Sequence, residues 1–441
     1  MRIRRQFRAV APLAAAILLA VAPPAVAQRA AGPYSDLLGG SAETDKPSRQ
    51  TLDVRGSLFG AWDDILSSAD ESALDDQFLR SGFAGGASGG LQHALRLRRL
   101  QWNSSAATSL RMYGEGSDSV AATFSVSSDI ASQLSRRVDL LVSGAFGYSP
   151  YYGFSPALDD RFVPAGALNG GFGVATAAQR NTTSNGDVRL NVRLSRRDTI
   201  DVGANATRHE FLDQSANSVT SYGGHGTFRH ALTGSVGIHA GFNRQSGLYQ
   251  FSGADDATND SIDVGVDYGD TLAFNRRTAL TFSSSTAIVR WRDDTHYRLQ
   301  GDAALTRAFG RSGSMALRFA RDTQFEPGFR EPLLSNSVTG SISNQLGRRA
   351  TWSASIGHTR GTVGFDSEES TRYGSTNAGG RLTTGLTRHL GVFGDYSYYQ
   401  YDVPAGATVF TSLPKFTRQS VSIGLTVWLP VINDRRAGNN P

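Results

Sequence analysis

The chain has 441 residues, a formal net charge of +5, no cysteine and a hydrophobic content of 39%. Its mean hydropathy of −0.28 excludes a helical membrane protein but suits a sheet that is apolar on one face only. The lack of cysteine excludes a thiol-linked lipid anchor and a disulfide framework. Four of the 44 basic residues lie in the first eight positions, and without them basic and acidic side chains are almost equal in number. We therefore expect no nucleic-acid partner.

The N-terminus predicts a secretory signal peptide over residues 1–27. A positively charged start precedes an apolar stretch over 9–22, and Ala25-Val26-Ala27 forms a small-residue cleavage site. The apolar stretch is about 14 residues long, too short to cross a bilayer as a helix. The Arg4-Arg5 pair also allows the twin-arginine route, but a β-barrel must cross the inner membrane unfolded, which favours the general secretory route.

Beyond the signal, alternating runs predict strands with one apolar face. Residues 187–194, 262–269 and 421–429 each alternate between apolar and polar side chains. Because successive side chains of a strand point to opposite faces, such runs suit a wall between lipid and water. The wet face of a soluble antiparallel sandwich would give the same pattern. It would also require a second, densely apolar face, which the sequence lacks.

Eight short turns, each with an arginine after an apolar residue, divide these runs at intervals that fit one strand up, a loop and one strand down. The predicted turns are 97–99, 134–137, 194–197, 228–230, 274–277, 309–312, 346–349 and 386–389. This spacing predicts an all-β fold: a transmembrane antiparallel up-and-down β-barrel of about 18 strands, with 16 as the rival count, short periplasmic turns and long extracellular loops. The expected divisions are a signal peptide over 1–27, a periplasmic linker over 28–50, the barrel over 51–429 and a periplasmic tail over 430–441.

Aromatic residues near strand ends predict the interfacial girdles of such a barrel. Trp62 and Trp291 lie at such positions, as do aromatic residues within 148–154 and 396–401.

The last predicted strand carries a pattern of Ser422, Gly424, Val427 and Leu429. This pattern resembles the assembly signal of bacterial outer-membrane proteins. The resemblance implies that the barrel-assembly machinery is a partner, which would bind this strand by strand addition. One departure is the polar segment 430–441, since such signals usually end the chain on an aromatic residue. In its predicted architecture and in its overall sequence pattern, the mature chain resembles the porin-like barrel families associated with exopolysaccharide-export loci. The resemblance implies a Gram-negative outer-membrane location, with outer-membrane lipid and lipopolysaccharide as partners and polysaccharide-export components as candidates.

The polar strand faces would line the interior of the barrel. The expected lumen-lining residues are Asp53, Arg55, Arg96, Asp187, Arg189, Arg193, Asp263, Asp267 and Arg318. Rings of one sign would indicate strong ion selectivity, whereas this mixture predicts a weakly selective lumen whose charges largely pair with one another.

The longest predicted outer loop, the third in chain order, runs from about 150 to 184. It contains Asp159, Asp160 and Arg161, for which we expect a role in a constriction if the loop folds into the barrel. A solvent-facing loop with no such role is the alternative.

A barrel of 16 to 18 strands is wide enough for an aqueous channel, so the first function to expect is passage of small hydrophilic solutes or of an exported polysaccharide. A closed-lumen scaffold barrel of an envelope polysaccharide system is the second, and a barrel enzyme the third. The segment 86–90 fits a nucleophile-elbow pattern, but that motif requires a strand, a sharp turn and a helix. The eight histidines are scattered without a metal-site spacing, so we expect neither catalysis, metal nor cofactor.

Overall fold

The computed structural model describes residues 49–68, 82–113, 120–151, 179–213, 218–234, 236–250, 256–268, 278–292, 294–310, 312–326, 329, 331–364, 371–402 and 415–434. This part of the chain contains no helix with the length and hydropathy of a membrane-spanning helix.

The described residues form one antiparallel sheet of 18 strands. The strands are β1 (Gln50–Ser68), β2 (Gly82–Arg96), β3 (Leu100–Tyr113), β4 (Val120–Gln133), β5 (Val138–Ser149), β6 (Asn181–Arg193), β7 (Asp198–Phe211), β8 (Val219–Ala231), β9 (Val236–Tyr249), β10 (Ala257–Tyr268), β11 (Thr278–Trp291), β12 (Asp294–Phe309), β13 (Gly313–Gln324), β14 (Leu333–Leu346), β15 (Ala350–Val363), β16 (Thr371–Gly385), β17 (Leu390–Asp402) and β18 (Lys415–Asp434). Each strand pairs with its neighbours in sequence, and β1 also pairs with β18. The sheet is therefore a closed up-and-down barrel, and the count is 18 rather than 16.

The two faces of the wall differ in chemistry. Only the inward face of a closed barrel can be covered by other parts of the chain, so buried side chains identify it. On β1, Asp63 is fully buried, whereas Leu58, on the opposite face, is 66% exposed. Since paired residues of antiparallel strands share a face, the register carries this assignment round the barrel. The outward face is mostly apolar, as in Ile423 of β18 and Ile262 of β10, and the inward face is mostly polar. The alternation in the sequence thus becomes the two sides of the wall.

Short connections join the strands at one end of the barrel, as the turn pattern predicts. The connections at 97–99, 134–137, 194–197, 346–349 and 386–389 lie where the sequence places them. At the turn predicted over 309–312, β12 ends at Phe309 and β13 begins at Gly313, and residue 311 lies outside the described residues. The segment 274–277 lies outside the described residues.

The turn predicted at 228–230 is wrong. Arg229 and His230 lie within β8, and the turn begins at Leu232. At this turn, as at those beginning at Leu134, Leu194 and Leu386, the local signal is a Leu-Ser or Leu-Thr pair rather than the arginine. The hydroxyl oxygen of Thr233 accepts the backbone N–H of Val236 at 3.0 Å, as that of Ser195 accepts the N–H of Arg197 at 3.0 Å. Such hydroxyl-to-backbone bonds stabilise a tight turn locally.

The last strand extends further than predicted. β18 continues past Leu429 to Asp434 and pairs with the first residues of β1. Pro430 lies opposite Asp53, and a register shift follows it, which is the kind of irregular position where a strand tolerates proline. The pairing of β17 with β18 begins at Val427, so no ladder bond to β17 requires an N–H at Pro430.

The predicted aromatic girdle is only partly outward. Trp62 and Tyr396 are exposed on the outer face, in agreement with the prediction. Trp291 lies on the inward face and is 3% exposed, and Tyr399 and Tyr401 are likewise inward and buried. Tyr151 is also buried, in a cluster with Phe59, Ala61, Ala84, Ala121 and Phe393. Alternation reverses the face of adjacent residues, so a run of aromatics cannot lie wholly on one side of the wall.

Candidate functional site

The lumen is the candidate site, and most predicted lining residues lie on its wall. The register places Asp53, Arg55, Arg96, Asp187, Arg189, Arg193, Asp263 and Arg318 on the inward face. The backbone of Asp267 pairs with Gly237 in the same register, and its side chain lies outside the described residues. The constriction-loop candidates Asp159, Asp160 and Arg161 also lie outside the described residues.

The four assembly-signal residues divide between the two faces of β18. Ser422 and Gly424 face inward, and the Ser422 hydroxyl donates to Asp395 at 3.4 Å. Val427 and Leu429 face outward and are exposed. The structure thus gives the terminal strand one apolar and one polar face.

The segment 86–90 does not form a nucleophile elbow. Ser88 lies in the middle of β2, where it pairs with Ser57 on one side and Ser109 on the other.

Charged side chains of both signs lie close together across β5 to β10. Arg189 contacts Asp187 at 2.9 Å, and the Arg193 guanidinium contacts Asp139 of the neighbouring strand at 2.5 Å. Two further pairs join histidine to aspartate: His225 with Asp201 at 3.0 Å and His239 with Asp263 at 3.5 Å. Most of these groups are partly exposed, so each pair contributes at most about 1 kcal/mol. The inward face of β5 to β10 therefore presents positive and negative groups side by side rather than charges of one sign.

A recess of about 530 Å³ lies at the end of the barrel that carries the short turns. The turn at 97–99 and the inward faces of β5 to β7 line it, with Asp139, Arg189 and Asp201 among the lining residues. Charged groups therefore face an open space at this end of the lumen.

The other half of the lumen contains a buried ionic cluster of Asp63, Arg111 and Arg418. The Asp63 carboxylate contacts Arg111 at 2.8 Å and Arg418 at 2.9 Å. None of the three side chains is more than 2% exposed. The carboxylate thus bridges three strands, β1, β3 and β18, at the seam where the barrel closes. Sequence reasoning missed this cluster, because Arg111 and Arg418 lie 48 and 355 residues from Asp63 along the chain.

Two described residues of the connection between β13 and β14, Phe325 and Phe329, lie inside the lumen. Phe325 packs edge-on against Tyr249 of β9, with ring centroids 6.4 Å apart. It belongs to a buried cluster with Val219, Tyr249, Ala257, Ala287, Val289 and Trp291, which lie on β8 to β11. On the other side, Phe329 is 1% exposed and lies 6.3 Å from Tyr373 of β16. Phe325 and Phe329 therefore contact different sides of the inner wall and narrow the lumen.

Two glycines accommodate the β13–β14 connection. A Cβ at Gly247 on β9 would approach a ring carbon of Phe325 to 2.5 Å, so only glycine leaves room for that ring. Gly364 adopts a φ of 76° and donates its N–H to the carbonyl oxygen of Pro332 at 3.1 Å. Gly247 thus leaves room for the Phe325 ring, and Gly364 holds the end of the connection by a backbone hydrogen bond to Pro332.

At the end of the barrel opposite the short turns, Arg180, just before β6, contacts Asp213, just after β7. The Arg180 Nε–H donates to Asp213 Oδ1 at 3.0 Å, and the backbone N–H of Arg180 donates to Oδ2 at 3.2 Å. Hydrogen bonding to the guanidinium lowers the pKa of the Asp213 carboxyl. The contact ties the end of the third outer loop to the connection after β7.

No group of histidine, aspartate and glutamate in the described ranges has an arrangement that could hold a metal ion.

Comparison with known proteins gives structural likeness only. No family model matches the chain, and no curated protein matches it. Among solved structures, OpdQ of Pseudomonas aeruginosa is similar with a TM-score of 0.40 and 10% identity, covering 87% of this chain and 98% of that one. OccAB4 of Acinetobacter baumannii gives a TM-score of 0.40 and 10% identity over 87% of this chain and 99% of that one. The open form of the ferric-catecholate import receptor Fiu from E. coli K12 gives a TM-score of 0.41 and 9% identity over 88% of this chain and 82% of that one. Likeness at this level carries no conclusion about what the chain does.

Proposed function

We propose that the chain is an outer-membrane channel of a Gram-negative bacterium that passes small hydrophilic solutes. The observation that carries the proposal is the closed barrel of 18 strands with an apolar outer face and a polar inner face. An apolar outer face is stable only where lipid covers it, and a sheet without edges leaves no unpaired backbone groups in that lipid. A barrel of this strand number encloses an aqueous space.

The outer face also supports a location in lipid with anionic headgroups. Arg321 of β13 and Arg360 of β15 both lie opposite Asn336 of β14, so the three side chains share one outward row. Lipopolysaccharide phosphates are anions that guanidinium groups bind well. We include outer-membrane lipid and lipopolysaccharide among the proposed partners, and the barrel-assembly machinery through the terminal strand.

Delivery to that membrane requires export. We propose that cleavage near Ala27 releases the mature chain, as the basic start and the short apolar stretch indicate. Mass determination of the protein purified from outer membranes tests this, since retention of residues 1–27 would contradict it.

Single-channel recording tests the channel directly. The mature protein, refolded and checked by its heat-modifiable migration on a gel, is added to a planar bilayer in KCl. Stepwise current increases are expected. Silence from protein that is shown to be folded and inserted would overturn the proposal.

The second candidate is a closed scaffold barrel of an envelope polysaccharide system. The specific observation in its favour is the burial of inward side chains in one half of the lumen, including Asp63 and Thr359 at 0% exposure. Silent but correctly inserted protein would favour this function. The first proposal includes an exported polysaccharide as a candidate solute of the channel. Co-purification with polysaccharide-export components would support either the polysaccharide channel or the scaffold barrel.

A further inference from the structure

One sector of the lumen wall carries hydroxyl groups and no charge. The inward residues of β14 and β15 include nine serines and threonines, which together we name the hydroxyl track. Its members are Ser335, Ser337, Thr339, Ser341 and Ser343 of β14, and Thr351, Ser353, Ser355 and Thr359 of β15. The other inward positions between Leu333 and Val363 on these two strands hold glycine, glutamine or apolar residues. The nearest charged inward groups lie on the flanking strands, at Arg318 and Asp322 of β13 and Arg381 of β16.

The hydroxyl track extends along most of the wall. From Ser335 to Ser343 a strand advances about 27 Å, close to the height of the apolar band of a barrel. Hydroxyls on one strand repeat every second residue, and those on the neighbouring strand lie about 4.8 Å away. A solute on this wall therefore meets a continuous series of hydroxyl groups along the half-buried part of the track.

Most of these hydroxyl groups are not used by the fold. Within the described part of the chain, the hydroxyls of Thr339, Ser341, Ser353 and Ser355 have no hydrogen-bond partner, and the buried Thr359 Oγ1 has none either. The exceptions are three members of β14: Ser335 donates to Asp322 at 2.7 Å, Ser337 donates to the carbonyl oxygen of Ala320 at 3.4 Å, and Ser343 contacts Ser314 at 2.9 Å. Unused hydroxyl groups can act as donor or acceptor, because each rotates to suit its partner.

Aromatic rings lie beside one end of the track. Tyr373, Tyr399 and Tyr401 are inward on β16 and β17, and the last two have ring centroids 6.1 Å apart. Their flat faces combine an apolar surface with a polar tip. Phe329 of the β13–β14 connection lies against Tyr373, so the track is covered at this end, while its members from Thr339 to Ser355 are only half-buried.

We propose that the hydroxyl track is a binding path for a neutral saccharide. Sugar hydroxyl groups are donors and acceptors in equal measure, so they can exchange hydrogen bonds with water for hydrogen bonds with the track at little net cost. An ion gains nothing comparable from a charge-free wall. Many weak, repeated contacts also let a bound solute advance along the lumen rather than remain at one site. The inference rests on the proposed channel function and names the class of its solute.

The test uses maltohexaose as the probe on the full mature protein. Its binding is measured twice: as interruption of the current through single channels, and by calorimetry on the refolded barrel in detergent, which requires no conductance. The variant T339V/S341A/S355A removes three half-buried hydroxyls from the track. The matched control, S125A/S143A/T207V, removes three inward hydroxyls from β4, β5 and β7.

Maltohexaose binding by the wild-type protein is expected in both measurements. The track variant should weaken it at least about tenfold, since each hydrogen bond contributes about 0.5 to 1.5 kcal/mol, and the control should stay within about twofold. Normal conductance without maltohexaose binding would overturn the inference and leave the channel function standing. Calorimetric binding without conductance would support the track and overturn the channel. Equal weakening in the two triple variants would also overturn the inference. If the triple variant does not fold, maltohexaose binding is compared between the wild-type protein and S341A. Weaker binding by S341A would support the inference, and unchanged binding would overturn it.

Discussion

The carboxylate of Asp63 is the single group whose replacement should cost most. It lies between two buried guanidinium groups, 2.8 Å from Arg111 and 2.9 Å from Arg418. Asp63→Asn would remove the negative charge that contacts two buried guanidinium groups, a loss of about 3 to 5 kcal/mol. Urea titration of the barrel in phospholipid vesicles would measure the shift in unfolding midpoint.

The matched control is Asp139→Asn. Asp139 also pairs with an arginine, Arg193, but the two side chains are 27% and 52% exposed. Solvent can replace the lost contact there, so the cost should be at most about 1 kcal/mol. Similar midpoints for the two variants would show that the Asp63 cluster is as open to solvent as the Asp139 pair.

Gly247 tests whether the β13–β14 connection limits the channel. In Gly247→Ala the new methyl group would meet the ring of Phe325 at 2.5 Å, and the ring must leave the cluster on β8 to β11. We expect a higher or more fluctuating single-channel conductance. Gly147→Ala is the control, because that inward position on β5 has only an ordinary contact, 3.9 Å from Phe124 O. Unchanged conductance in Gly247→Ala would mean that the connection does not limit the current.

Among the larger elements, the strands were the most predictable. The alternation of apolar and polar residues over 187–194 predicted the strand and its inward face correctly as far as Arg193, where β6 ends, because the period of two is a local property of the backbone. Turn positions were less secure. At 228–230 the sequence offered an arginine after an apolar residue, yet the strand continues to Ala231 because the hydroxyl that closes the turn belongs to Thr233.

The turn between β6 and β7 allows this distinction to be tested. Ser195 accepts the backbone N–H groups of Arg197 and Asp198, each at 3.0 Å. Ser195→Ala should therefore destabilise the barrel by about 1 kcal/mol, whereas Arg196→Ala, one residue along, should change the unfolding midpoint by less than about 0.5 kcal/mol. A larger effect from Arg196→Ala would restore the arginine as the residue that specifies the turn.

For the whole molecule, closure and strand count followed from the sequence, but the interior of the lumen did not. A repeating hairpin length is visible in one dimension. The contact of Phe325 with Tyr249, or of Asp63 with Arg418, depends on which strands meet across the barrel and how the chain returns to its start. The hydroxyl-rich β14 and β15 were visible as serine and threonine, but their charge-free sector became apparent only when the register assigned each residue to a face.

The charges of the whole lumen predict weak ion selectivity. Arginine and aspartate occur together round the inward face, as in Asp187 and Arg189, so neither cations nor anions meet a ring of one sign. The reversal potential of the wild-type channel in a KCl gradient should lie near zero. Arg193→Ala would remove the partner of Asp139 and shift the reversal potential toward cation preference, because a carboxylate then faces the lumen alone. Arg208→Ala removes an arginine from the outer face, where it contacts Glu210 at 3.2 Å, and should leave the potential unchanged. A strongly selective wild-type channel, or an equal shift in both variants, would show that groups outside this wall determine which ions pass.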